Sequence, residues 1–136
     1  MTEQKPDTNE ESDMRILLVD DNVDFLTVLE ALLKGHGYTP LVAQDGKQAR
    51  EILEEQSVDA IISDVFMPTL DGLRFHSYVR EFLGQRDTPF IFMSGYDDSY
   101  TRQALEDSSV DFFLSKASPI SEIVARLENI KASIQA

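Results

Sequence analysis

No cysteine occurs among the 136 residues, so zinc–thiolate sites, redox pairs and thiol nucleophiles are excluded. There is no apolar run near the ~20 residues that a membrane-spanning helix requires. The N-terminal stretch MTEQKPDTNEESD has neither the basic stretch nor the apolar core of a secretory signal. The expectation is a cytoplasmic protein with no membrane partner. Basic residues are scarce too: 12 Lys and Arg stand against 25 Asp and Glu, a net charge of −13. That balance argues against direct nucleic-acid binding, because neutralising phosphates needs basic surface. Five of the acids (Glu3, Asp7, Glu10, Glu11, Asp13) and one base (Lys5) fall in residues 1–13. Low hydrophobicity and high charge make 1–13 an expected disordered acidic tail and leave 14–136 as one domain.

From Met14 onward, short apolar runs alternate five times with segments of helical period. The runs are RILLV (15–19), TPLVA (39–43), AIIS (60–63), PFIFM (89–93) and DFFL (111–114). Each has strand length and strand composition. Between them, Phe25, Leu29, Leu32 and Leu33 recur at helix spacing, as do Ala49, Ile52 and Leu53, then Phe75, Tyr78, Val79 and Phe82. A fourth helical segment, around Tyr100 to Glu106, has the poorest stripe. The fifth is the clearest: Ser118 can cap it, Pro119 suits its first position, and Ile120, Ile123, Val124, Leu127 and Ile130 form its stripe. Strands apolar on both faces and separated by amphipathic helices imply an α/β fold, a doubly wound (βα)5 parallel sheet of five strands. Ligands in such folds bind beyond the carboxyl ends of the strands.

Asp20 and Asp21 follow the first strand, Asp64 lies at the third, Ser94 follows the fourth and Lys116 follows the fifth. Three carboxylates converging on one edge repel each other, so the cluster needs raised pKa values or a bound cation. Oxygen ligands without His or Cys favour magnesium or calcium. Asp20 and Asp21 could instead serve as a helix cap, and Phe113 as an ordinary core aromatic. Asp24, Asp71, Asp97 and Asp98 read as caps and solvated turns, and His36 and His76 as surface or helix-end residues.

The segments VDD (19–21), SDVFMPTLDG (63–72), MSG (93–95) and LSK (114–116), in this order at strand ends, resemble the receiver domain of response regulators, of the single-domain chemotaxis-regulator type. The resemblance covers residues 14 to about 134, a span read directly from the sequence. It implies a flavodoxin-like sheet of order 2-1-3-4-5 and a phosphoacceptor in a two-component or phosphorelay system. Asp64 would receive a phosphoryl group from the phosphohistidine of a sensor histidine kinase or histidine phosphotransfer protein. Mg2+ would be held by Asp20, Asp21, Asp64 and the backbone carbonyl of Phe66. Ser94 would be the switch hydroxyl, Lys116 the family lysine and Phe113 the aromatic switch. A downstream protein would read the face of the fourth helix, fifth strand and fifth helix. No enzymatic activity is implied beyond the domain's own phosphorylation and dephosphorylation.

Three departures from the family pattern stand out. Ala117, not proline, follows Lys116, and a cis bond there would cost about 2.5 to 4 kcal/mol against ~0.5 to 1 for proline, which leaves the isomer of this peptide, and the approach of Lys116, open. Phe66 and Tyr96 occupy the positions that tune phosphoryl lifetime, and their bulk predicts slow self-dephosphorylation. Gly95 replaces the commoner alanine beside Ser94. The competing readings are a phosphorylation-independent pseudo-receiver that only binds partners, an FMN protein, and an aspartate phosphatase. Against FMN, VDDNVD puts acid where a phosphate loop would need glycine or hydroxyls. Against the phosphatase, Phe66 stands where a second aspartate belongs. The sequence ends in or just after the fifth helix, consistent with a stand-alone receiver or a piece of a longer regulator.

Overall fold

Five parallel strands, β1 (Arg15–Val19), β2 (Thr39–Ala43), β3 (Ala60–Asp64), β4 (Phe90–Ser94) and β5 (Asp111–Ser115), form one sheet in the order β2-β1-β3-β4-β5. The molecule is described by a computed structural model, and the residues it describes are 14–64, 72–79, 88–94 and 111–135. Among them are four helices: α1 (Val23–Gly35), α2 (Gly46–Glu55), α3 (Gly72–Ser77) and α4 (Ile120–Gln135). The tail 1–13, the helical segment expected around Tyr100 to Glu106, and Phe82 lie outside the described residues. No helix among the described residues is long and apolar enough to cross a membrane.

The sheet is apolar on both faces because alternate residues of each strand feed different cores. Along β1, Ile16 and Leu18 join Leu26, Leu29 and Leu33 of α1 and Ile123, Leu127 and Ile130 of α4 in one layer. Leu17 and Val19 point the other way, into a layer with Ala49 and Leu53 of α2 and Phe75 of α3. In that second layer the Phe90 ring stacks on Phe92 (centroids 5.3 Å apart) and meets Phe75 edge-on (5.8 Å).

The structure differs from the sequence expectations at element ends. β3 runs on through Asp64, β4 starts at Phe90 and includes Ser94, and β5 continues to Ser115. Parallel pairing explains this, because backbone bonding continues past the last apolar residue while a partner strand lies alongside. Helix α4 starts at Ile120, after a turn in which the Ser118 N–H donates to the Ser115 carbonyl and the Glu122 N–H to the Pro119 carbonyl. In α1 the buried stripe is Leu26, Leu29 and Leu33, and Leu32 is 40% exposed. Helix α1 packs on β2, the edge strand, and β1, so a residue one position off the stripe passes beyond the sheet.

Candidate functional site

Val19 of β1 pairs with Ser63 of β3, so the next residues, Asp20 and Asp64, lie side by side at the carboxyl edge of the sheet. The Asp20 N–H donates to the Ala43 carbonyl (3.1 Å), which keeps Asp20 in line with the sheet edge. Carboxylate oxygens of Asp20, Asp21 and Asp64 all lie within 4.8 Å of one another. Asp20 and Asp64 are buried, at 2% and 8% exposure, and Asp21 is exposed. Around the buried pair the lining is mostly apolar, with Leu18, Leu29, Ile62 and Met93 beside the hydroxyl residue Ser63.

The aspartates do not cap α1. Asn22 does: its side-chain oxygen accepts the Phe25 N–H (3.1 Å), while its own N–H donates to Asp20 Oδ1 (2.9 Å). Asn22 thus satisfies an open helix N–H and orients Asp20 at once.

From the far side of the sheet the Lys116 ammonium reaches 2.7 Å from Asp20 Oδ2 and 3.5 Å from Asp64 Oδ2, with its side chain only 20% exposed. Burial pulls the lysine pKa down, but contact with Asp20 and the charges of Asp20 and Asp64 outweigh it, so the pKa is raised above the ordinary 10.5. At 2.7 Å the two groups form an ion pair. Among the described residues, Asp20 Oδ2 is buried and charge-paired without a hydrogen bond. Such an oxygen loses its water without full replacement, a state that a hard divalent cation relieves. Three carboxylates at this spacing, with that oxygen among them, fit magnesium.

Asp20, Asp21, Asp64 and Lys116 are thus brought together as the sequence anticipated. Ser94 ends β4 opposite Ser115 of β5, one residue before Lys116. Phe113, half-buried, pairs with Phe92 and packs against the layer of α2 and α3. Phe66, Met67, Asp71, Gly95, Tyr96, Asp97 and Asp98 fall outside the described residues. His36 is the exposed C-cap of α1. No peptide bond among the described residues is cis, so Lys116–Ala117 is trans. The turn is held by the Ala117 N–H donating to Ser115 Oγ (3.0 Å). Two contributors escaped the sequence reading, Asn22 and Phe25, whose ring lies 4.9 Å from the Lys116 ammonium. Their signal was position: both sit at the start of the helix that follows the acidic pair.

The response regulator receiver domain model matches residues 16–128. The response regulator MprA of Mycobacterium ulcerans is 35% identical over 114 residues, 84% of this chain and 48% of that protein. The chain therefore spans about half the length of the curated relatives it matches. Among solved structures, the receiver domain of a Pseudomonas aeruginosa sensor histidine kinase, with a magnesium ion coordinated in its active-site cleft, superposes with a TM-score of 0.79. It is 30% identical, over 88% of this chain and 98% of that one. The Vibrio cholerae chemotaxis protein CheY4 gives a TM-score of 0.79 at 25% identity, over 86% and 98%. The acidic edge of a 2-1-3-4-5 sheet and these matches lead to one assignment: the chain belongs to the response regulator receiver domain family.

Proposed function

We propose that this domain is a phosphoacceptor of two-component signalling in which Asp64 takes a phosphoryl group from a phosphohistidine. The carrying observation is the buried Asp64 carboxylate at the carboxyl edge of the sheet, with the Lys116 ammonium 3.5 Å away. Asp64 supplies a carboxylate oxygen as nucleophile. Its O–P bond forms as the donor's N–P bond breaks, and the departing imidazole keeps the bonding pair and takes up a proton. Phosphoryl transfer depends mainly on positioning and charge stabilisation, so a donor that brings an activated phosphoryl group needs little more than this cradle. Asp20, Asp21 and Asp64 would hold Mg2+, which when bound supplies positive charge where two anions meet. Lys116, already within reach of Asp64, would pair with a phosphoryl oxygen.

The added charge and acceptor oxygens would favour one of two conformations of the domain. Ser94 and Phe113 are the proposed switch residues, and a downstream partner would read the face that includes β5 and α4. Phosphodonor labelling tests the reading. Incubated with a small acyl phosphate and magnesium, the wild type should acquire an acid-stable, base-labile phosphoryl group, and Asp64→Asn should acquire none. Equal labelling of the two would move the acceptor elsewhere.

A further inference from the structure

Phe25 reads in the sequence as one more core residue of α1, yet its ring is half-buried and lies under the Lys116 ammonium, 4.9 Å from Nζ. That distance is within the range where the negative face of a ring attracts a cation. Lys116 is a long side chain on a turn where alanine, not proline, follows it. The turn's backbone is fixed by the Ala117 N–H to Ser115 Oγ and the Ser118 N–H to the Ser115 carbonyl (2.9 Å). Neither bond restrains the lysine stem. Among the described residues, its charge and ring contacts lie at its tip: Asp20, Asp64 and the Phe25 ring.

We propose that Phe25 is a positioning residue that holds the Lys116 ammonium on the Asp20–Asp64 pair and so sets how strongly a divalent cation must compete for those carboxylates. The inference rests on the metal site of the phosphoacceptor reading. The competition centres on Asp20 Oδ2, the buried oxygen that Lys116 approaches at 2.7 Å and that a cation would also need. An ammonium anchored by a ring gives up that oxygen less readily than one on a free stem. Phe25 is placed for this by the Asn22 cap, whose side chain accepts the Phe25 N–H and whose own N–H holds Asp20 Oδ1. One local turn therefore fixes both the ring and the carboxylate between which the ammonium sits.

The sign of the effect separates this role from simple packing. A packing residue, once cut back, loosens the acidic site and weakens metal binding. A residue that anchors the competing ammonium does the opposite. Titration calorimetry of the whole chain with magnesium chloride should show Phe25→Leu binding magnesium about two- to fivefold more tightly than wild type, the range a cation–π contact of this exposure implies. Phe25→Tyr, which keeps the ring face, should match wild type. In a Lys116→Met background, Phe25→Leu should change nothing, and Phe25→Met serves the same comparison if the leucine variant does not fold. Unchanged or weaker binding in Phe25→Leu, or the same tightening without Lys116, would overturn the proposal. A wild type that binds magnesium but ignores Phe25 removes this inference alone. A wild type that binds none removes the metal site with it.

Discussion

Both carboxylate oxygens of Asp20 are engaged. One oxygen is fixed by the Asn22 N–H and the other faces Lys116, and both are sealed by a 2% exposed side chain. Removing the lysine takes an ammonium away from two buried carboxylates, 2.7 Å from Asp20 Oδ2 and 3.5 Å from Asp64 Oδ2. Breaking a fully buried pair costs about 3 to 5 kcal/mol; with Lys116 partly exposed, Lys116→Met should cost about 1 to 3 kcal/mol in metal-free buffer. Because the vacated carboxylates are the ones a cation would use, saturating magnesium should return more stability to the variant than it adds to the wild type. Urea unfolding with and without magnesium measures both increments, and equal increments would mean that lysine and cation do not share a site. At this scale the sequence was legible where chemistry stands at strand ends: Asp20, Asp21, Asp64 and Lys116 could be named because a parallel sheet presents its carboxyl edge to ligands. Asn22 and Phe25 could not, since a helical period does not say which residue of the first turn leans back over the preceding strand.

Helix α1 ends in a device that the apolar pattern does not encode. The Gly37 N–H donates to the Lys34 carbonyl and the Tyr38 N–H to the Leu33 carbonyl, with Gly37 at φ 90, the bonding of a Schellman cap. A Cβ on Gly37 would meet nothing within 4 Å, so the cost of Gly37→Ala is conformational alone, about 1 kcal/mol. Gly35 ends the same helix with helical geometry and equal space, and Gly35→Ala should instead stabilise by about 0.5 to 1 kcal/mol. Opposite shifts in the urea midpoint for two glycines two residues apart would confirm the cap, and shifts of one sign would refute it. Element types were readable because strand runs and helical stripes differ in period. Their ends were not: the bonding that carries β3 through Asp64 and β5 through Ser115 comes from a neighbouring strand distant in sequence. The exposure of Leu32 likewise reflects where α1 lies on the sheet and not its own spacing.

Across the molecule, the turn after α1 is tied to the C-terminal helix by the Tyr38 hydroxyl, which donates to Glu128 (3.0 Å). Burial first, then the hydrogen bond and charge of Glu128, push the Tyr38 phenol from 10.0 up to about 12. A folded-state pKa above the unfolded one means that the neutral phenol's contribution is complete below pH 10 and is lost as pH rises towards about 12. Lys116, raised from 10.5, acts in the same direction. Stability of the wild type should therefore fall steeply over this alkaline window. Tyr38→Phe should cost about 0.5 to 1.5 kcal/mol at neutral pH and decline less steeply above pH 10, leaving the share due to Lys116 and Tyr78. Parallel alkaline profiles for the two proteins would exclude Tyr38 as a source. Strand β5 has a mechanical consequence at this scale. Phe112 packs on the α1 and α4 layer with the Arg126 guanidinium 5.1 Å from its ring, and Phe113, the next residue, packs on the opposite layer. The strand works as an axle with a braked wheel on one side and a separate wheel on the other. A ring that turns at Phe113 would therefore change the strand's side of the face a partner would read, while Phe112 and Arg126 keep α4 pinned to β5 as a fixed reference for that change.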